Sequence, residues 1–239
     1  MNDDRELYRR WVTGDDLVGF RVTVGETDLL IRARADLTGP AGDAVRACRE
    51  SIEDYIARDP DFATALEPCD VTDAPDIVRA MADAGRTAGV GPMAAVAGAV
   101  AQFVGEALLA HSPEVIVENG GDLYIKTDHR IRVGMYAGDS PFTGRLALLV
   151  APEKTPMGMC TSSGTVGHSM SLGRADAVTV ICRSAAVADA YATAYANRIS
   201  SPDDVNTVLA LGEKSPDVLG LVIIVGPTLG SWGDITLIE

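Results

Sequence analysis

The sequence predicts an α+β protein built in layers, because helical segments interrupt two groups of strands. Three observations carry this. Residues 20–34 alternate apolar and polar on either side of Gly25-Glu26, the pattern of a hairpin. Apolar residues then recur at helical spacing in successive segments up to residue 110, the mark of helices with one face in a core. Beyond residue 115, short apolar runs separated by Gly, Asp or Pro return the chain to strands.

Each element follows from its own residues. In the hairpin, Arg21, Thr23, Arg32 and Arg34 fall on the wet faces. Val45, Cys48, Ile52 and Ile56 place one apolar stripe on a helix over 41–58. A second helix spans 75–87, with Asp73 or a neighbouring polar residue as its cap. After Gly89-Val90-Gly91-Pro92, a third helix over 93–110 carries small residues on every face, so other backbone can approach it and it should be central and buried. Strands at 115–117, 123–126, 131–136 and 146–150 suit an antiparallel sheet. An apolar strand follows at 177–182, then an alanine-rich helix over 185–199, a helix over 202–211 and a last buried strand at 219–225. No repeat, low-complexity tract or linker interrupts the chain, so residues 1–239 read as one domain, with the chemistry in about 89–197.

Bulk properties narrow the function. At 239 residues and 47% apolar, the chain is long enough to bury a large core. A net charge of −14 and a pI near 4.5 argue against nucleic acid and anionic membranes as partners, since both are polyanions. Residues 1–10 are charged and have no apolar centre, so they read as neither a signal peptide nor an anchor, and the expected location is cytoplasmic. Residues 90–110 come nearest to a membrane span, yet they are mostly Ala and Gly and include Gln102 and Glu106. The four cysteines are too far apart for metal-ligand spacing and are expected as free thiols, with Cys48, Cys69 and Cys182 in the core. His111 and His129 read as surface positions, and Trp11 and Trp232 as residues that help to close the fold.

Four segments have the composition of a site. Residues 91–98, Gly-Pro-Met-Ala-Ala-Val-Ala-Gly, open a helix with a proline, leaving unpaired N–H groups at the positive end of the dipole, a natural seat for phosphate. Taken alone, small residues there also serve packing. Residues 117–122, Val-Glu-Asn-Gly-Gly-Asp, set two carboxylates and an amide around a Gly-Gly turn that could read the edge of a heteroaromatic ring; alone, they read as a hairpin turn. Residues 159–169 gather hydroxyls, glycines, Cys160 and His168 in a stretch without helical or strand periodicity, so they read as a functional loop. Asp189 and Thr193 stand at i and i+4 on one helix face, two hard oxygen ligands suited to Mg2+, although a solvated Asp beside a backbone-bonded Thr fits the same spacing.

In this order the four segments resemble the ApbE-like superfamily, whose members include flavin transferases that move FMN from FAD onto a protein threonine with Mg2+. The runs Gly-Pro-Met-Ala-Ala-Val-Ala-Gly, Glu-Asn-Gly-Gly-Asp and Cys-Thr-Ser-Ser-Gly-Thr-Val-Gly-His-Ser are most similar to a cytoplasmic prokaryotic branch of that superfamily. The resemblance implies a T-fold-like, two-lobed α+β fold with antiparallel sheets and a ligand groove between the lobes. It implies that FAD or FMN is bound by Gly91, Met93, Ala94, Ala95, Asn119, Gly120, Gly121, Asp122, Thr161, Ser162, Ser163 and Gly164. Asp189 and Thr193 would be Mg2+ ligands, joined by a carbonyl near Ala94 or Ala95.

Departures from the transferases matter equally. No lysine stands between Gly91 and Gly105, and their His-x-x-Asp-Pro-x-Thr-Gly segment is replaced by His168 followed by Ser-Met-Ser-Leu-Gly. The leading expectation is an ApbE-like enzyme binding a flavin nucleotide or related phosphorylated ligand, with His168 as general acid/base and Cys160 as nucleophile or sulfur carrier. The resemblance to the branch suggests a link to sulfide-dependent homocysteine formation. Alternatives are an FAD:protein FMN transferase acting on a protein acceptor, and a flavin- or nucleotide-binding module without turnover. Pairing of an apolar helix face across a two-fold axis would give a homo-oligomer.

Overall fold

A computed structural model describes residues 12–13, 17–165 and 173–239. Two antiparallel sheets and a layer of helices make up the fold. The hairpin strands are β2 (Val18–Val24) and β3 (Thr27–Ala33), preceded by the short β1 (Val12–Thr13). Helices α1 (Thr38–Arg58), α2 (Asp61–Thr64), α3 (Asp76–Ala88) and α4 (Val96–Leu108) follow. Strands β4 (Val115–Asn119), β5 (Asp122–Lys126), β6 (Ile131–Gly134), β7 (Ala147–Val150), β8 (Met157–Ser162) and β9 (Ala177–Cys182) lead to α5 (Ala185–Ala196) and α6 (Val205–Lys214). The chain ends with β10 (Val218–Val225), β11 (Thr228–Gly233) and β12 (Leu237–Ile238).

The large sheet has eight strands in the order β11-β10-β9-β8-β5-β4-β3-β2, and the small one has four, β1-β6-β7-β12. Helices cover one face of the large sheet, where Val115, Val117, Tyr124, Cys160, Val180 and Ile223 join their core. The small sheet covers the other, against Ile116, Leu123, Ile125, Met157, Met159 and Ile224. With both faces dry, β9 is buried at every position and β10 at all but one, so these strands read as continuous apolar runs. Among the described residues no single helix is long and apolar enough to cross a membrane.

Several expectations need correction. The helix expected from residue 93 starts as a 3-10 turn, Pro92–Ala95, and becomes α-helical only at Val96. Asp73 does not cap α3; its backbone is left-handed at φ 47°, and Pro75 stands at the cap without a side-chain hydrogen bond. The helix expected over 202–211 likewise opens with a 3-10 turn at Pro202–Asp204 and runs on to Lys214. The most consequential difference is β8, because residues 159–162 were expected in a loop and lie in a strand between β5 and β9. His129 is exposed, but its ring is not idle, as its Nδ1 lies 3.1 Å from Glu114 Oε2.

That glutamate anchors the hairpin end of the large sheet. Its side chain is only 2% exposed and forms an ion pair with Arg34. Its Oε2 also accepts from Thr127 Oγ1 at 2.9 Å and from the Asp128 backbone N–H at 2.8 Å. Burial alone would raise the pKa of Glu114, but the Asp128 N–H, His129, Thr127 and Arg34 outweigh it and hold the carboxyl down to about 2.

Candidate functional site

Two helices that cross beside the large sheet fill each other's N-terminal donors. Helix α4 begins with open N–H groups, and Gly98 N–H donates to Asp189 Oδ2 of α5 at 2.9 Å. In return, Gln102 Oε1 of α4 accepts from the Ala185 N–H at 2.8 Å and from Ser184 Oγ at 2.9 Å, at the start of α5. Glycine at 98 allows this approach, since a Cβ there would meet the Ala185 carbonyl at 2.3 Å and Asp189 Cβ at 2.8 Å. The donors read from the sequence as a phosphate seat therefore already hold a carboxylate at Gly98. Gly91 has a packing role of the same kind: its N–H bonds Leu66 O at 2.9 Å, and a Cβ would lie 1.8 Å from the Ala65 carbonyl.

The Gly-Gly turn joins β4 to β5 with φ +66° at Gly120 and +109° at Gly121, a backbone open mainly to glycine. Glu118 Oε1 accepts from the Gly121 N–H at 2.9 Å. Asn119 Nδ2 donates to the Ala97 carbonyl at 3.0 Å and so ties the turn to the first turn of α4. Across the β5–β8 ladder, Asp122 stands opposite Cys160. The structure thus brings together the start of α4, Asn119, Asp122, Cys160 and Asp189. Thr161 Oγ1 hydrogen-bonds Thr179 Oγ1 at 2.8 Å, Ser162 is buried, and the Gly164 N–H bonds Ala175 O at 2.9 Å. Met93, Ala94 and Thr193 are half-buried and Ala95 is buried. His168 lies outside the described residues.

Electrostatics mark Asp122 and Asp189. Burial raises Asp189 to about 7, against the opposing hydrogen bonds from Gly98 and Ala97. Burial, then the nearby Asp189 charge, pushes Asp122 well above the ordinary carboxylate range. Asp122 Oδ1 is buried without a hydrogen-bond partner, a costly state for a carboxylate. Cys160 is fully buried and its Sγ lies 3.3 Å from the Ala185 carbonyl. Burial and then the two carboxylates push its thiol up strongly. This is the setting of a neutral donor rather than of the thiolate that a nucleophile or sulfur carrier needs.

Among the described residues no three His, Cys, Asp or Glu side chains form a metal-binding group. Even so, the donor set fits a hard cation, which would relieve the repulsion between Asp122 and Asp189 and satisfy the orphaned oxygen. Neutralising Asp122 should act similarly. Asp122→Asn is expected to stabilise the protein near neutral pH and to raise its unfolding midpoint, because an amide avoids the cost of burying a carboxylate beside Asp189. Thermal unfolding followed by circular dichroism measures this, and an unchanged or lower midpoint would refute the like-charge account.

Sequence reasoning missed Gln102, read only as a polar residue in an apolar run. Its signal lies in the reciprocal capping, which needs both helices in place to be seen.

Comparison with known proteins gives the family and the fold. A family model described as "AbpE bacteria" matches residues 9–218. A UPF0280 protein of Methanothermobacter thermautotrophicus is 42% identical over 220 residues, covering 90% of this chain and 85% of its own. A second UPF0280 protein, from Methanospirillum hungatei, is 43% identical over 196 residues, 82% of this chain and 79% of its own. Among solved structures, the flavinyl transferase ApbE of Pseudomonas stutzeri in its apo form superposes with a TM-score of 0.58 at 16% identity, covering 90% of this chain and 93% of that one. The α+β fold with antiparallel sheets is accordingly ApbE-like, and by sequence the chain belongs to the UPF0280 family.

Proposed function

We propose that this protein binds a flavin nucleotide, or a closely related phosphorylated ligand, together with Mg2+ at the cluster formed by the start of α4, the Asn119–Asp122 turn and Asp189. One observation carries the reading: two buried carboxylates from different elements lie close together, and Asp122 Oδ1 has no partner. Sites that keep an uncompensated pair of this kind are disposed to take a cation. Asp189 and Thr193, one helical turn apart on α5, would hold Mg2+ with the free oxygen of Asp122. When bound, the ion would supply charge neutralisation for phosphate oxygens.

The chain's own groups would orient the ligand. Asn119 is already fixed to the Ala97 carbonyl, which leaves its side-chain oxygen to accept from a ring edge. The hydroxyls of Ser162 and Ser163 and the backbone near Gly164 would contact the polar part of the ligand. Because the Gly98 donor is satisfied by Asp189, phosphate recognition is assigned to the cation rather than to that N–H group. Cys160, buried and neutral, supports a positioning role beside Asp122 in preference to persulfide transfer.

Whether FMN is passed to a protein threonine is a separate step of this reading. Calorimetric titration with FAD, FMN and ATP, with and without Mg2+, tests the binding. Mg2+-dependent FAD binding is expected, with loss in Asp189→Ala and weakening in Thr193→Ala, while far-UV circular dichroism verifies that both variants are folded. Binding that ignores Mg2+, or that survives Asp189→Ala, would remove this reading. AMP released from FAD in the presence of an acceptor protein would then establish transfer.

A further inference from the structure

We infer that an apolar cavity between the two sheets is a binding site for a small monocarboxylate with a compact apolar body. It lies on the face of the large sheet away from Asp122 and Asp189, and it does not depend on the flavin reading. Alternation along β8 turns Met157 and Met159 into the cavity, whereas Cys160 faces α5, with its Sγ 3.3 Å from the Ala185 carbonyl. Leu148, Ile181 and Ile235 supply further apolar wall around a volume of about 150 Å3, with Asp234 and Thr236 among the polar residues that also line it. An apolar void of this size is large enough for a benzene-sized guest. Thioether side chains adapt to guests of varied shape, and walls left without contact atoms forfeit dispersion energy.

The rim supplies the polarity. Lys154 Nζ pairs with Asp234 Oδ2 at 2.9 Å, so its charge is balanced. Arg183 Nη1 donates to the Lys154 carbonyl at 2.8 Å, and no carboxylate lies within ion-pair distance of its guanidinium among the described residues. In a chain of net charge −14, a guanidinium without a counter-charge at the mouth of an apolar cavity favours a carboxylate head and disfavours a cationic one. The ligand class is therefore an aliphatic or aromatic monocarboxylate, its body in the cavity and its head at Arg183.

Titration of protein carrying 13C-methyl methionine with hexanoate, hexan-1-ol and hexylamine tests this, with the resonances assigned through Met157→Leu and Met159→Leu. Hexanoate is expected to shift both methyl signals saturably and to bind at least about tenfold more tightly than either other ligand, as one charge-assisted contact allows. Arg183→Gln should erase that preference while hexan-1-ol binds as before. Met159→Trp should fill the cavity and abolish the Met157 response to all three ligands, and Ile181→Phe gives the same readout if the tryptophan variant does not fold. Absence of saturable shifts with hexanoate, equal affinity for the three ligands, or a preference that survives Arg183→Gln would overturn the assignment.

Discussion

Glu114→Ala is expected to lower stability by about 2–3 kcal/mol, the range for losing charge-assisted hydrogen bonds to a buried carboxylate whose ion-pair partner, Arg34, is partly exposed. The change leaves the Asp128 N–H without its acceptor, takes from Thr127 Oγ1 one of two acceptors, the other being the His129 carbonyl at 2.9 Å, and removes the partner of Arg34. The pH dependence has a defined sign. The folded pKa of about 2 lies below the ordinary 4.5, so the contribution is complete above about 4.5 and disappears as pH falls through about 2. A difference of this size corresponds to roughly 3 kcal/mol. Denaturant unfolding across the acid range should therefore show a loss of stability that Glu114→Gln removes. An acid limb of the same depth in wild type and Glu114→Gln would mean that other carboxylates set it.

Gly98→Ala is the second large effect. Its Cβ would overlap the Ala185 carbonyl and crowd Asp189 Cβ, at 2.3 and 2.8 Å, and both are main-chain or short-chain atoms that cannot swing aside. Helices α4 and α5 must separate, at a cost of about 1–3 kcal/mol, and the Gly98 N–H must leave Asp189 Oδ2. The variant should melt several degrees lower and, on the proposed flavin reading, bind FAD with Mg2+ far more weakly than wild type. Gly39→Ala is the control, because nothing lies within 4 Å of the added methyl and a helical alanine there is expected to stabilise slightly. Gly98→Ala behaving like Gly39→Ala in unfolding and in calorimetry would contradict the interhelical contact.

The parts of the fold that could be read from sequence were those whose signal is local. The β2–β3 hairpin follows from alternation around Gly25-Glu26, and α1 from its apolar stripe. Strand β8 was hidden because its end is made of Cys, Thr and Ser, which look like a loop; Thr161 sits in a strand because its hydroxyl meets Thr179 on β9. The Gly-Gly turn, read as either hairpin or site, is a hairpin that also ties Asn119 to α4. The ordered motifs identified the family, but they did not disclose that Asp189 caps a neighbouring helix, a contact between residues 91 positions apart. Equally hidden was the part His129 plays, since its value lies in the buried carboxylate it touches.

The order of strands in the large sheet bears on how the cluster comes into being. Three of its ladders, β2–β3, β4–β5 and β10–β11, are hairpins that can close early from local chain. The β3–β4, β5–β8 and β9–β10 ladders are seams between distant parts of the sequence, matching Leu29 with Asn119, Asp122 with Cys160 and Ala177 with Ile224, and they carry the larger loop-closure cost. Asn119 and Asp122 belong to one hairpin, while Cys160 and Asp189 arrive from beyond the second seam. No single hairpin contains the constellation, so a partly folded chain carries the motifs without the cluster until the β5–β8 ladder closes and the helix bearing Asp189 docks against α4.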